Sequence, residues 1–279
     1  MTEQAITAKL PSNGPTWSRY RYPESLYRFG TLLVVVLFLG YSLHFLNVDI
    51  AKLIGALGRL VGVVSDRYYP PDLEYVLDRG YLAAILDTLQ MSFLGSFAGV
   101  CLAVPLAWFS AGNVTPHRVM FPVGRLGVIS CRAIHETIWT ILFVSVLGFG
   151  MLAGVSALTM FCIGFAGKLF ADEIEAIDMG PVEAMQSAGA NPLQVFLFAV
   201  VPQVRVAFTG IAIYTWDVAF RAATVVGFFG GGGMGWYLKR NVQQLENLRV
   251  AAIILSIIAM VLIAEFLSGY LRSAVNRAK

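Results

Sequence analysis

The sequence predicts an all-α polytopic membrane protein with about six spanning helices. Three observations carry that expectation. Of 279 residues, 57% are hydrophobic and only 13% are charged, where a soluble domain carries about 25% charged residues. The mean hydropathy is +0.71. Apolar runs of roughly membrane length recur along the chain, divided by polar segments.

A spanning helix needs roughly 20 apolar residues. Spans are expected at 29–46, 81–109, 134–149, 151–170, 204–229 and 250–271. The second is long, with Asp87 and Gln90 near its start, so it can tilt or project. The third is short and opens on His135 and Glu136, while the fifth carries Asp217 and Arg221. Residues 1–28 lack the apolar core of a signal peptide and read as a retained tail. Residues 29–279 read as one membrane domain. Within 48–80, the pair Pro70-Pro71 breaks any helix.

An even number of spans puts both termini on one side. Basic residues gather in the tail (Lys9, Arg19, Arg21, Arg28), after the second span (Arg118, Arg125, Arg132) and at the C-terminus (Arg272, Arg277, Lys279). The positive-inside rule makes these regions, and therefore the termini, cytoplasmic. Lys239, Arg240 and Arg249 fall on the outer side and count against that orientation. The net charge of +3 is small, and its placement at segment ends suits lipid headgroups rather than nucleic acid. Cys101, Cys131 and Cys162 are far apart and form no disulfide framework or metal pattern; all three are expected to pack in the core.

The loop 171–202 is then cytoplasmic. It holds Asp172, Glu173, Glu175, Asp178 and Glu183 and no Lys or Arg, which invites a basic partner surface. Pro181 suits the first turn of a helix, and Gly189 suits a left-handed cap after two turns. Asn191 can cap the next helix, with Pro192 at its first position. The expected result is a short helix, a tight turn and a second helix entering the membrane. Ala184, Ala188 and Gly189 permit close approach by another protein, and Glu183 supplies a charge.

Glu183-Ala184, then Gly189 and, thirteen residues later, Pro202 resemble the EAA loop of ABC importer permeases. Met185, Ala199 and Val201 depart from that pattern but keep its apolar character. Gly180-Pro181-Val182-Glu183-Ala184, Val200-Val201-Pro202-Gln203-Val204 and Arg221-Ala222-Ala223-Thr224 narrow the resemblance to phosphonate-type permeases. It is strong over about residues 132–235 and weak at the ends. The resemblance implies a type I importer permease fold and residence in the bacterial cytoplasmic membrane. It implies a homodimer with two ATPase subunits that bind ATP and Mg, and an external binding protein. No cofactor is implied in this chain. Glu183, Ala184, Gly189, Pro202, Gly180 and Pro181 would couple it to the ATPase. The implied cargo is phosphonate, with phosphate or phosphite carried by related members.

A charge at membrane depth is normally paired or lines a wet path. Asp217 and Arg221 are four apart on one helix face and can neutralise each other. One reading gives Arg221 a passing contact with an oxyanion in a translocation path, with Asp217, Trp216 and Thr224 beside it. The other makes the pair a structural lock. His135 and Glu136 point to different faces and read as capping residues, not metal ligands. Lys168 can reach headgroups, and Glu265 is expected to be paired or partly exposed. Gly230–Gly235 lacks the Lys and Ser/Thr of a phosphate loop and, by resemblance, is a turn with close backbone packing. No HExxH or Ser/Lys dyad supports an intramembrane enzyme. A permease for another small solute, an autonomous channel and a secondary carrier remain as alternatives.

Overall fold

The structure is a computed structural model that describes residues 24–46 and 50–277. The tail expected over 1–28 therefore lies outside the described residues up to position 23. No strand occurs among the described residues. The chain divides into two units, residues 1–63 and 64–279.

In the first unit, α1 (Glu24–Phe45) is apolar enough to cross a membrane. Helix α2 (Ile50–Arg67) begins there and ends just past the boundary. Its apolar Ile50, Leu53, Ile54, Leu60, Val61 and Val64 recur at helical spacing, with Lys52 and Arg59 between them. An amphipathic helix therefore occupies part of the 48–80 segment between the first two expected spans, and it ends before the Pro pair.

The second unit opens with α3 (Leu73–Val76), capped by Asp72, whose Oδ1 accepts from the Tyr75 N–H at 3.3 Å. Helix α4 (Arg79–Ser110) has 32 residues, about 48 Å at the α-helical rise, so it tilts in or extends beyond a bilayer. Its buried side includes Ala84, Thr88, Ser92, Gly95, Ser96, Gly99, Ala103 and Ala107. This stripe lies along α7 (Met151–Glu175), whose buried side includes Gly154, Ala157, Ala166 and Gly167. Small residues let two membrane helices approach closely where no hydrophobic effect drives them together. A Cβ at Gly95 would sit 2.6 Å from the Leu158 Cβ.

Between α4 and α7 in sequence come α5 (Met120–Ala133) and α6 (Glu136–Leu147), bent by 89° at their break. Helix α6 has only 12 residues, about 18 Å, too short to cross alone. Only taken together are the two long and apolar enough for one span, with a break in its middle. His135 caps α6 by accepting from the Thr137 N–H at 3.4 Å. Its imidazole also lies 3.3 Å from Glu136, the terminal role expected of these residues.

After α7 the chain forms α8 (Gly180–Ser187), α9 (Pro192–Val195), a π-helical turn at Phe196–Val200 and α10 (Val201–Val226). From Pro192 to Gly231 this is a 40-residue helical run. Pro202 lacks an N–H and crowds the carbonyl four residues back. The π-turn absorbs that conflict, with the Val201 N–H reaching Phe196 O. A second π-turn, Gly227–Gly231, leads to α11 (Gly233–Gln243), and α12 (Asn247–Arg277) closes the unit. The chain thus offers five helices able to cross a membrane, or six with the bent pair.

Candidate functional site

Helix α8 stands at one end of the bundle, with Val182 its one fully buried side chain and Met185 packed beside it. Val182 is fully buried in a cluster with Ala103, Phe170, Ile174, Val200 and Val204. Those residues belong to α4, α7 and the π-turn–α10 run, and within that cluster α8 itself packs on the π-turn that leads into α10. The opposite side is open: Glu183, Ala184, Ser187 and Ala188 are exposed.

The local chemistry follows the sequence. Pro181 lies in the first turn of α8, where its missing N–H costs nothing. Gly189 adopts φ +83° with no atom near a would-be Cβ, so the left-handed backbone alone selects glycine there. Asn191 and Gln194 form a reciprocal capping box on α9 at 2.8 and 2.9 Å.

The turn between α7 and α8 is tied down by polar contacts that the sequence does not reveal. The Gln203 amide accepts from the Asp178 N–H at 3.1 Å and donates to the Asp178 carbonyl at 3.2 Å. Asp178 Oδ1 in turn accepts from the Gly180 N–H at 3.0 Å. Asn113 donates to the Ile174 carbonyl at 2.8 Å. Glu175 accepts from the Gly112 N–H at 3.1 Å and lies 3.4 Å from Arg125. Lys168 pairs with Asp172. Three of the five loop acids are thus used internally. The side chains of Glu173 and Glu183 alone among them make no ion pair or hydrogen bond within the described residues, and Glu183 is the one on α8.

Higher on α10, Arg221 Nη2 donates to Asp217 Oδ2 at 2.6 Å. The Asp217 side chain is 4% exposed and that of Arg221 45%. The carboxylate is therefore in the packed interior while the guanidinium reaches an open face, shared with Tyr214, Val225 and Phe229. Asp217 Oδ1 and Trp216 Nε1 are buried without a partner. Thr224 donates to the Arg221 carbonyl at 2.8 Å, which leaves its hydroxyl turned to the backbone. The structure brings Asp217 and Arg221 together and keeps both well apart in the chain from the α8 residues, joined to them by the continuous helical run.

The glycine-rich stretch is a packed turn. Gly230 has φ +116°, and the Gly150 N–H donates to its carbonyl at 3.0 Å. The Met234 N–H donates to Thr88 Oγ1 at 2.9 Å, fixing this turn on α4. No group of three or more potential metal ligands occurs among the described residues. Cys131 and Cys162 are buried, whereas Cys101 is exposed; it sits on the side of α4 turned away from α7, so core packing is not its role. Glu265 is exposed on α12, with no ion pair among the described residues.

Residues 92–277 match the family described as "Binding-protein-dependent transport system inner membrane component". The chain is 38% identical over 244 residues to the phosphite transport system permease protein PtxC of Stutzerimonas stutzeri, covering 88% of this chain and 86% of that protein. It is 35% identical over 213 residues to the phosphate-import permease protein PhnE of Mycolicibacterium smegmatis, covering 76% of this chain and 40% of the relative. Among solved structures, a chain of the inward-facing MetNI methionine ABC transporter is similar with a TM-score of 0.58 at 19% identity, over 70% of this chain and 95% of that one. An amino acid ABC transporter chain gives a TM-score of 0.60 at 18% identity, over 75% and 99%. At these identities the two structures speak for the fold alone.

Proposed function

Since the chain belongs to the family of binding-protein-dependent transport system inner membrane components, we propose that it is the phosphorus-oxyanion permease of an ATP-driven importer. It is a multi-pass protein of the bacterial cytoplasmic membrane with the type I importer permease fold. It works as a translocation subunit. In this reading two copies form the path, two separate ATPase subunits bind ATP and Mg, and an external binding protein delivers phosphonate, phosphite or phosphate. Phosphite and phosphate appear in the names of relatives.

The observation that carries the reading is the placement of α8. Its Val182 is embedded in the bundle while Glu183 and Ala184 face outward. An ATPase groove closing on this outer face would move the base of α10 with it, because α8 packs on the π-turn that leads into α10 and Gln203 of α10 holds the turn before α8. Gly180, Pro181, Gly189 and Pro202 set the shape of that lever. Its displacement travels along the Pro192–Gly231 run to Arg221, which offers a passing oxyanion two-pronged hydrogen bonds. The two arrangements are end states of a rigid-body switch biased by nucleotide. In this reading both termini and the 171–202 loop are cytoplasmic, the side that the basic clusters favour.

The test is co-reconstitution with the ATPase and binding protein in proteoliposomes. Hydrolysis and uptake are expected to rise with phosphonate, phosphite or phosphate. Glu183→Lys is expected to abolish co-purification of the ATPase. Stimulation by an unrelated solute alone would reassign the cargo, and flux without any ATPase would make the chain an autonomous channel or carrier.

A further inference from the structure

A cavity of about 130 Å³ lies at the α8 end of the bundle between α4, α5 and α7, lined by Ser110, Arg125, Val128, Arg132, Lys168 and Ala171. Arg125 and Arg132 are seven apart on α5 and so share a face; Lys168 comes from α7. Ser110, Val128 and Ala171 are buried, giving the cavity a floor with little access to water. Charges beside such a floor act on an anion through a lower effective dielectric than bulk water.

The charge balance is uneven. Lys168 is paired with Asp172 and Arg125 is 3.4 Å from Glu175. Arg132 is exposed and its side chain makes no ion pair or hydrogen bond among the described residues. Three cations face two carboxylates, leaving one positive charge, and neither carboxylate lines the cavity. The Arg125–Glu175 contact is at the long end of the hydrogen-bond range, and Glu175 already accepts from the Gly112 N–H. Arg125 can therefore turn to an incoming anion without leaving Glu175 unpartnered. The volume suits a single tetrahedral oxyanion and falls below the roughly 300 Å³ at which sites for larger organic ligands begin.

We propose that this cavity binds a phosphate group, with Arg132 and Arg125 as forked donors and Lys168 as a point charge. Two sources share that chemistry: the headgroup of an anionic phospholipid, for which basic pockets between membrane helices are suited, and free inorganic phosphate. Occupancy draws Arg125 from Glu175, the residue that ties the α4–α5 connection to the end of α7, so the site communicates with the base of α8. The site is defined by this chain alone and does not depend on the transport reading.

The experiment uses the purified, delipidated full-length chain without its partners. One arm measures retention of dioleoylphosphatidylglycerol against dioleoylphosphatidylcholine by native mass spectrometry. The other measures inorganic phosphate binding by equilibrium dialysis. Retention of phosphatidylglycerol alone identifies a lipid site, and phosphate binding alone identifies a soluble-anion site. In whichever arm binds, Arg132→Gln is expected to weaken affinity by about tenfold or more, with Arg132→Lys intermediate. Lys168→Gln serves as a second variant on a different helix. Absence of binding in both arms overturns the proposal, as does binding that neither Arg132→Gln nor Lys168→Gln weakens. Because uptake is not measured, failure here is separate from failure of the importer assignment.

Discussion

Gln203 grips both main-chain groups of Asp178, 25 residues earlier, accepting from its N–H at 3.1 Å and donating to its carbonyl at 3.2 Å. The same amide nitrogen donates to the Ala199 carbonyl at 2.8 Å. One side chain thus locks the turn before α8 to the first turn of α10. Without it, α8 keeps its Val182 anchor but can tilt relative to α10. Gln203→Ala is expected to retain ATPase association and nucleotide hydrolysis while uptake per ATP falls several-fold. Gln203→Glu keeps the acceptor but loses both donations and sets a carboxylate beside Asp178, so it is expected to be at least as damaging. An unchanged uptake-to-hydrolysis ratio in both variants in proteoliposomes would refute this role.

Val182 tests the anchor itself. It is 0% exposed, and a buried side chain of its size contributes about 1.5–3 kcal/mol. Val182→Ala is expected to weaken ATPase binding modestly. Val182→Asp would bury an unpaired carboxylate, whose cost is far larger, so α8 should undock. Co-purification of the ATPase is then lost, while the membrane bundle, read by thermal unfolding monitored on the remaining helices, persists. ATPase capture by Val182→Asp at the native level would show that α8 docking does not depend on this contact.

Thr88 and Met234 form a buried tie between α4 and the glycine-rich turn. Thr88→Val is close in shape but removes the acceptor and leaves the Met234 N–H buried and unpaired. An unsatisfied buried donor costs about 1–3 kcal/mol. A clear drop in melting temperature is expected, and Thr88→Ser, which keeps the hydroxyl, should recover most of it. Equal melting temperatures for the Val and Ser variants would mean that water or another group satisfies the N–H.

These ties explain what could and could not be read in the sequence. The form of α8 and its flanks was legible because Pro181, Gly189, Asn191 and Pro192 act on backbone within a few residues of themselves. The Asp217–Arg221 pair was legible because four residues is one helical turn. Gln203 with Asp178 and Thr88 with Met234 were not, since their meeting depends on how distant elements pack. Helix α2 was hidden because its polar positions dilute its hydropathy. The bend at Ile134–His135 was hidden because an apolar run resumes at Ile134 and looks like the start of a single span. The acidic character of 171–202 overstated the demand for a basic partner, because Asp172, Glu175 and Asp178 turned out to serve this chain's own contacts.

Asp217 and Arg221 can be separated into structural lock and transport contact by the asymmetry of their burial. Removing Arg221 leaves a carboxylate that is 4% exposed without its counter-charge, and a buried charge left unpaired is strongly destabilising. Removing the Asp217 charge leaves a guanidinium that is 45% exposed and can be solvated, so its cost is smaller. Arg221→Gln is therefore expected to lower the melting temperature more than Asp217→Asn does. The double variant Asp217→Asn, Arg221→Gln carries no buried charge and should melt close to Asp217→Asn. If Arg221 also meets the oxyanion, uptake stays low in the double variant despite its recovered stability. If uptake recovers along with stability, the pair is a structural lock and the oxyanion is met elsewhere along the path.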